Sequence, residues 1–539
     1  MTKPTTPTTS TRRAGSRFRS AAPTTRPPTR SASACRTSTR DEVMKTQTHK
    51  LTILFATLLL SACGADISDS LDDSADAGSA DFTTFVAVGD SLTAGYADGA
   101  LYRHGQENSF PAILAQQFAL AGGGAFSQPL MPVGATGSLT HSAADLGRAD
   151  RLVLVPTVNP SQPAAPGTVT PVQPTAIDVR VGSGGFNNMG IPGAKAIHLN
   201  VSAYGENSLA AFVGGTANPY FARFSSNDTT TVMTDFFGQA PTFFILWIGS
   251  NDVLLYAVDG GPGGTPAYGT GTTDVTDPAL FEAAYNGTLA AIATNLPTAK
   301  GVLVTVPDVG TIPYFTTVPF NPIPMDAATA AGANAAYQTY NDGLLAAEAG
   351  LIIDADERQQ RTINFSAGQN ALVILDDSLT PIPGAPLLRQ ATANDLIILT
   401  ASTKIGTPSD LSNPLTTIWG VGTPMEDADV LTETEYAFVQ AARDEYNADI
   451  VAAANGNPNF VLFDAATLLE ELNETGILYG SGGISATFAQ GGGISLDGIH
   501  PTARGYAVMA NELMKVIENA FGAKLPPVDP NQYTTVFYQ

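Results

Sequence analysis

Cysteine, histidine and positive charge are scarce in this chain of 539 residues. The two cysteines, Cys35 and Cys63, provide neither a disulfide framework nor a cysteine-based metal site. No two of the five histidines have the spacing of metal ligands on a helix face, so the sequence predicts no metal site. With 26 Lys and Arg against 49 Asp and Glu, the formal net charge is −23, and we expect no binding to nucleic acid.

The first apolar segment of the chain contains no hydrophobic run long enough for a membrane helix. The run at residues 51–60 has about ten residues, which is too short to span a bilayer as a helix. Hydrophobic residues nevertheless make up 44% of the chain and charged residues only 14%. The composition therefore predicts a large buried core rather than a disordered chain.

The first 63 residues have the composition of leader and targeting segments. Residues 1–43 are rich in Thr, Pro, Ser and Arg, and we interpret them as an over-extended reading frame before Met44 or as a disordered leader. Residues 44–63 resemble a bacterial lipoprotein signal, with two lysines, the apolar run and small residues before Cys63. An ordinary signal peptide with a chance cysteine is the alternative.

Lipidation of Cys63 would fix where the protein works. We expect export and anchoring through acyl chains to the bacterial cell envelope, at the outer membrane or the cell surface. Residues 64–81 alternate Asp, Ser, Ala and Gly and are predicted to be an acidic flexible tether.

Short apolar runs alternate with helical patterns from residue 82 onward. The runs at residues 85–88, 243–248, 302–306 and 460–463 are continuous, which is typical of strands that are covered on both faces of a parallel sheet. Helices are predicted at residues 109–118, 278–296, 327–349, 432–454 and 502–520. This order predicts one α/β layered domain over residues 82–525, followed by a C-terminal tail at 526–539.

Three segments rich in Gly, Pro and Thr do not fit that alternation. They lie near residues 125–186, 255–276 and 311–428 and are predicted to be insertions into the α/β core. Within the last of them, the apolar runs at 372–375 and 396–399 are expected to pair as a hairpin. A separate domain at residues 315–430 is the alternative.

Three short segments together contain the groups that acyl transfer requires. Ser91 follows the first strand directly, and Asn251 follows the strand at residues 243–248. Asp497 and His500 lie within one turn of chain, so the carboxylate can hold the imidazole in one tautomer. Acyl transfer needs a nucleophile, a base with an orienting partner, and donors for the oxyanion. Taken singly, each of these residues is also typical of a turn, a cap or an Asx motif.

These segments resemble the blocks of the GDSL, or SGNH, hydrolase superfamily, which carry Ser, Gly, Asn and His in this chain order. Gly89-Asp-Ser-Leu matches the first block, the turn from Asn188 to Gly193 the second, Gly249-Ser-Asn251 the third and Asp497 to His500 the last. The resemblance implies a three-layer α/β/α sandwich with about five parallel strands, flavodoxin-like, and no metal. We expect no other cofactor.

The resemblance also implies the role of each residue. Ser91 would be the nucleophile, His500 the base and Asp497 its partner, while the backbone N–H groups of Ser91 and Gly193 and the side-chain amide of Asn251 would form the oxyanion hole. The Gly193 turn is the least specific match, because glycine turns are common.

The expected function is a lipid-anchored serine esterase or lipase, or a deacetylase of acylated glycan, acting on a small-molecule or lipid ester. The alternative is a surface lipoprotein that binds glycan or a partner protein and keeps a vestigial site. The segment from Tyr96 to Phe110 is expected to line the rim of the site, with His104 interpreted as a surface residue.

Overall fold

A five-stranded sheet forms the centre of the structure, a computed structural model that describes residues 74–155, 165–413, 416–480 and 482–538. Its strands are β1 Phe85–Gly89, β2 Asn188–Gly190, β3 Phe243–Trp247, β4 Lys300–Val304 and β5 Phe460–Phe463. They lie in the order β2-β1-β3-β4-β5, and all neighbours are parallel. The predicted α/β fold with a parallel sheet of about five strands is confirmed.

The continuous apolar runs form strands because both faces of the sheet are covered. Side chains alternate along β1, so that Phe85 and Ala87 enter one apolar cluster while Val86 and Val88 enter the other. Four strands were predicted from such runs. The sequence did not predict β2, because its three residues are followed at once by a glycine-proline turn and carry no apolar run of their own.

Fourteen α-helices surround the sheet in the part of the chain that the structure describes. They are α1 Ser91–Ala94, α2 Arg103–Glu107, α3 Phe110–Leu120, α4 Leu209–Val213, α5 Pro219–Ala222, α6 Val232–Phe237, α7 Asn251–Val258, α8 Pro278–Asn295, α9 Pro313–Thr316, α10 Ala327–Ala349, α11 Ala355–Arg361, α12 Glu433–Gly456, α13 Ala465–Glu474 and α14 Ala503–Phe521. The five predicted helices correspond to α3, α8, α10, α12 and α14, each to within two residues.

Two of the predicted helices, α3 and α12, begin with a capping side chain. Ser109 accepts a hydrogen bond from the N–H of Ala112 at the start of α3. At the start of α12, the backbone N–H and the hydroxyl of Thr432 donate to the carboxylate of Glu435 at 2.8 and 2.7 Å. This capping box satisfies groups that would otherwise be unpaired at the first turn.

The helices form one layer on each face of the sheet. Helices α3 and α14 contact one another and cover the face that contains Phe85, Ile245 and Val302. Helices α8 and α12 cover the opposite face, together with α7. The result is the predicted three-layer α/β/α sandwich.

Short strand pairs lie outside the central sheet. They are Leu139–His141 with Ala144–Asp145 and Thr175–Ala176, Leu152–Val155 with Ala165–Thr168, Tyr268–Gly269 with Val275–Thr276, Ile323–Met325 with Gly368–Asn370, Val373–Leu375 with Leu388–Gln390, Leu396–Ile397 with Val430–Leu431, and Ile477–Tyr479 with Gly482–Ile484. The hairpin predicted between residues 372–375 and 396–399 is therefore wrong. The first run pairs with Leu388–Gln390, which lies closer along the chain, and the second pairs with the strand that leads into α12.

The insertion at residues 311–428 has an apolar cluster of its own, in which Ile323, Phe365, Val373 and Met425 are buried. It does not separate from the rest, because contacts join Asp72–Gln539 into one compact unit. The contacts therefore do not support the alternative of a separate domain at residues 315–430.

Both ends of the α/β domain lie beyond the predicted boundaries. Asp76 and Lys524 exchange two backbone hydrogen bonds, and the N–H of Ser79 donates to the carbonyl of Phe521 at 2.7 Å. Residues 74–81 were predicted to be part of a flexible tether, but they pack on the end of α14. In the predicted tail, Phe537 packs against Tyr102.

The leader at 1–43, the signal segment at 44–63 with Cys63, and residues 64–73 of the tether lie outside the described residues. Among the residues that are described, no helix combines the length and the apolar character that crossing a membrane requires.

Candidate active site

The predicted site residues meet at the carboxyl edge of the sheet, around the ends of β2, β1 and β3. Gly193 follows β2, Ser91 follows β1 and Asn251 follows β3. In the strand order 2-1-3-4-5 the chain passes from β1 to β2 on one side and then crosses to β3 on the other side of β1, and such a reversal of strand order opens a crevice between the loops. The topology thus brings residues from distant parts of the sequence to one crevice.

Ser91, His500 and Asp497 form an unbroken chain of hydrogen-bond contacts. The Nε2 atom of His500 lies 2.8 Å from the Oγ atom of Ser91, and its Nδ1 atom lies 2.8 Å from Oδ2 of Asp497. The exposed fractions of Ser91 and His500 are 7% and 8%. A serine in this position can lose its proton to the imidazole, whose other nitrogen is held by the carboxylate.

The carboxylate of Asp497 is held as an anion by several donors. Its Oδ1 atom accepts from the N–H groups of Ile499 and His500 at 2.8 and 2.9 Å and from the hydroxyl of Ser495 at 3.0 Å. Its Oδ2 atom accepts from the N–H of Gly99 at 2.8 Å. Burial alone would raise the pKa of Asp497, but the charge of His500 and these hydrogen bonds lower that pKa to about 2.

The turn that presents Ser91 is fixed by the residue before it. Asp90 is fully buried, caps helix α1 and accepts from the N–H of Leu92 at 2.9 Å. Burial raises the pKa of Asp90 to about 7. Since Ser91 is the first residue of α1, its own N–H has no carbonyl partner within the helix and is available to a ligand.

The two other candidate oxyanion donors, Gly193 and Asn251, are tied to each other through Ala194. The side-chain amide of Asn251 donates to the carbonyl of Ala194 at 3.0 Å, which ties the start of α7 to the turn after β2. An amide group has two hydrogens, so one is left to donate elsewhere. Gly193 has a φ of +81°, a conformation that glycine adopts without strain, and Asn218 holds the same turn by donating to the carbonyl of Pro192 at 2.9 Å.

Sequence reasoning missed the residues that support Asp497 from the other side. Asp98 accepts from the N–H of Leu496 at 3.1 Å and from the hydroxyl of Tyr102 at 2.7 Å, and its own N–H donates to the hydroxyl of Ser495 at 2.9 Å. The exposed fraction of Asp98 is 1%, and burial raises its pKa to about 6. The signal in the sequence was the Asp-Gly pair seven residues after the nucleophile, which reads as an ordinary turn.

Tyr96 and His104, which both belong to the segment after the nucleophile, have different positions relative to the site. The ring of Tyr96 lies against the imidazole of His500, with ring centres 4.7 Å apart, so part of the segment after the nucleophile does line the site. His104 instead bonds through Nε2 to the hydroxyl of Thr534 at 2.8 Å and contacts Phe537. His104 is therefore not part of the hydrogen-bonded chain of Ser91, His500 and Asp497.

A cavity opens beside Ser91 and His500 and holds about 860 Å³ of empty space, part of which is open to solvent. Most of its lining is aliphatic. In the described part of the chain, no group of three or more His, Cys, Asp and Glu side chains is arranged to hold a metal ion.

A Ser-His-Asp chain at the carboxyl edge of a parallel sheet has the groups that acyl transfer requires of a nucleophile, a base and an orienting partner. Residues 85–351 match the family model described as GDSL-like Lipase/Acylhydrolase. The match supports a relation of this segment to the GDSL-like lipases and acylhydrolases, and it supports a hydrolase that acts on esters. Asp497 and His500 lie beyond the matched segment. Neither a curated protein nor a solved structure matches the chain significantly.

Proposed function

We propose that this protein is a serine hydrolase that cleaves carboxylic esters through an acyl-enzyme intermediate. The observation that carries the proposal is the contact chain from the Oγ atom of Ser91 through both nitrogens of His500 to Asp497, with 2.8 Å at each step. The GDSL-like family match supports the same reaction class independently, because it was obtained from a segment that excludes His500.

In the proposed reaction Ser91 attacks the carbonyl carbon of the ester while His500 takes the hydroxyl proton at Nε2. The negative charge then develops on the former carbonyl oxygen, where the N–H groups of Ser91 and Gly193 and the amide of Asn251 donate to it. His500 gives its proton to the leaving alcohol as the carbon–oxygen bond breaks. A water molecule then attacks the acyl carbon and loses a proton to His500. His500 returns this proton to the Oγ atom of Ser91 as the bond between the acyl carbon and Oγ breaks, which releases the acid and restores the serine hydroxyl.

Asp497 serves this sequence as an anion throughout. Its pKa of about 2 lies far below the range in which a histidine exchanges protons, so it does not itself take the proton. Its charge favours the imidazolium that forms in each step and fixes the ring with Nε2 directed at Ser91.

A fluorophosphonate probe tests the assignment. Such a probe forms a covalent bond only with an activated serine, so we expect labelling of the wild-type protein and none of Ser91→Ala. Ser412→Ala is the matched control, because Ser412 is an exposed serine on the large insertion and should not affect labelling. Equal labelling of Ser91→Ala and wild type would refute the role of Ser91. Absence of labelling in all three proteins would favour the glycan- or protein-binding alternative with a vestigial site.

We also propose that the enzyme is exported and held at the bacterial cell envelope through lipid on Cys63. The support is the order of lysines, apolar run and small residues before Cys63 in the sequence. Radiolabelled palmitate should enter the wild-type protein and not Cys63→Ala, and only the wild type should remain with the membrane fraction. A Cys63→Ala protein that stays membrane-bound would contradict the anchor.

A further inference from the structure

The cavity beside Ser91 is built mainly by elements that follow the segment matched to the family. Helix α13 contributes Leu468, Leu469 and Leu472, the short strand pair at residues 477–484 contributes Ile477 and Ile484, and Ile494 and α14 close another side. The turn after β4 adds Val309 and Ile312. Most of this wall therefore comes from outside the matched segment.

The lining extends along α13 away from the sheet. Ala465 begins this helix directly after β5, and Leu472 lies two turns further along, which corresponds to about 10 Å of helix. Leu472 is buried in a small apolar cluster with Ile484, Ile494 and Val508. An occupant that enters at Ser91 is therefore surrounded by aliphatic side chains along an elongated path.

Apart from Ser91 and His500, few polar groups line the cavity, and the hydroxyl of Ser250 and the indole N–H of Trp247 are themselves buried. The one other charged residue in its lining is Asp308, and the carboxylate of Asp308 is already engaged. It accepts from the hydroxyl of Tyr436 at 2.9 Å, from the amide of Gln440 at 2.5 Å and from the N–H of Gly310 at 2.8 Å. A charged or sugar-like group placed in the cavity would lose its water without gaining partners, whereas a hydrocarbon chain would gain from burial.

The position of the cavity beside Ser91 favours the acyl end of an ester as its occupant. Leu92 follows Ser91, Ser250 precedes Asn251, and both side chains line the cavity. An acyl group bonded to the Oγ atom of Ser91 therefore lies at the mouth of the cavity. The acyl group stays bound to Ser91 Oγ until the second half of the reaction, whereas the alcohol has to leave after the first half. An apolar cavity that adjoins Ser91 therefore suits the acyl side.

We propose that this cavity binds the unbranched aliphatic acyl chain of the substrate, so that the enzyme hydrolyses medium- and long-chain acyl esters in preference to acetyl esters. This inference rests on the proposed ester hydrolase function and adds the substrate class. It disfavours deacetylation of glycan as the main activity, because an acetyl group would leave the aliphatic wall uncovered.

A series of p-nitrophenyl esters from acetyl to octanoyl tests the inference on the wild-type protein, at concentrations below micelle formation. Burying one methylene group favours binding enough to raise kcat/KM about threefold to fourfold. From butanoyl to octanoyl we therefore expect an increase of about 100-fold. A second series of alkyl acetates, in which only the alcohol is lengthened, should show little dependence on chain length.

Two adjacent residues of one short strand provide a matched pair of variants. Ile477 lines the cavity, whereas Leu478 points away from it and has an exposed fraction of 89%. We expect Ile477→Trp to lower the ratio of octanoyl to acetyl kcat/KM at least tenfold, because the indole occupies the path of the chain. Leu478→Trp should keep the wild-type ratio. Thermal melting of both variants shows whether they are folded.

A measurement without any variant keeps the inference testable if Ile477→Trp does not fold. On wild type, a p-nitrophenyl octylphosphonate should label Ser91 at least tenfold faster than the methylphosphonate. Labelling of Ser91 with equal rates for both phosphonates would overturn the acyl-chain site and leave the ester hydrolase standing. Chain-length dependence in the alcohol series alone would also overturn it. If no ester is cleaved and Ser91 is not labelled, the proposed function itself fails, and the acyl-chain site fails with it.

Discussion

Replacing Asp98 by alanine tests whether the segment after the nucleophile holds the loop at residues 495–500, the Asp497 loop, in the position that catalysis requires. The change removes an acceptor that is 1% exposed and leaves two donors, the N–H of Leu496 and the hydroxyl of Tyr102, without their partner. Each buried donor left unpaired costs about 1–3 kcal/mol. Asp98 also has a φ of +53°, which alanine adopts less readily than aspartate or asparagine. We expect the free energy of unfolding to fall by about 2–5 kcal/mol.

The same change should slow the reaction, because Leu496 is the neighbour of Asp497 and Ser495 bonds to both Asp98 and Asp497. A displacement of a catalytic group by about 1 Å can cost about 100-fold in rate, so we expect kcat to fall about 10- to 100-fold. KM should change little, because Asp98 does not line the cavity beside Ser91.

The assay is hydrolysis of p-nitrophenyl butanoate, together with the rate at which a fluorophosphonate labels Ser91 and with urea unfolding. Asp98→Asn should restore most of the activity, because it keeps an oxygen acceptor and tolerates the positive φ. Asp150→Ala is the matched control. Asp150 accepts from the hydroxyls of Thr136 and Ser138 but has no bond to the Asp497 loop, so its loss should lower stability without lowering kcat.

A kcat of Asp98→Ala within twofold of wild type, measured on folded protein, would refute the positioning role. Equal losses of kcat in Asp98→Ala and Asp150→Ala would also refute it, since a general loss of stability would then explain both.

Two further predictions concern the oxyanion hole and the dependence of stability on pH. Asn251→Ala should lower kcat about 100- to 1000-fold with a much smaller change in KM, because one oxyanion donor is lost; a kcat within threefold of wild type in a p-nitrophenyl ester assay would argue against that role. Burial raises the pKa of Asp90 to about 7 and of Asp98 and Asp252 to about 6. A carboxyl group whose pKa is higher in the folded than in the unfolded protein stabilises the fold below about pH 4, where it is protonated in both states. This stabilisation is lost as the pH rises through the folded-state pKa, towards pH 7. The free energy of unfolding in urea should therefore be larger at pH 5 than at pH 8, and a constant or rising value between these pH values would contradict the pKa directions.

Much of the central fold could be predicted because both faces of its strands are buried. Such strands are continuous apolar runs, and β1, β3, β4 and β5 were all found in this way. The starts of α3 and α12 were predicted to within one residue, and the structure shows a capping side chain at each, Ser109 and Thr432. Strand β2 was not, since a three-residue edge strand is defined by pairing with β1 rather than by its own composition.

The insertions show the opposite case. Their short strands have no strong pattern of their own, so pairing depends on which segments the fold brings near. The run beginning at Val373 pairs with Leu388–Gln390, and Leu396–Ile397 pairs with the segment before α12, where the sequence favoured a hairpin between the two runs. The ends of the domain were misjudged for the same reason. Residues such as Asp76 are polar and small, yet their backbone groups pair with Lys524.

The residues with the chemistry of acyl transfer, and their order along the chain, were predicted without coordinates. A serine, an asparagine and an Asp-x-x-His pair stand directly after strands or before the last helix, and that position is visible without coordinates. The contact of Ser91 with His500 and Asp497 is visible only in the folded protein. Ser91 and His500 are 409 positions apart, and they meet because the fold brings the end of β1 and the segment before α14 to the same edge of the sheet. The tertiary structure also decided the shape of the cavity and the support from Asp98. Both depend on packing between segments remote in sequence, and such packing leaves no local pattern in the chain.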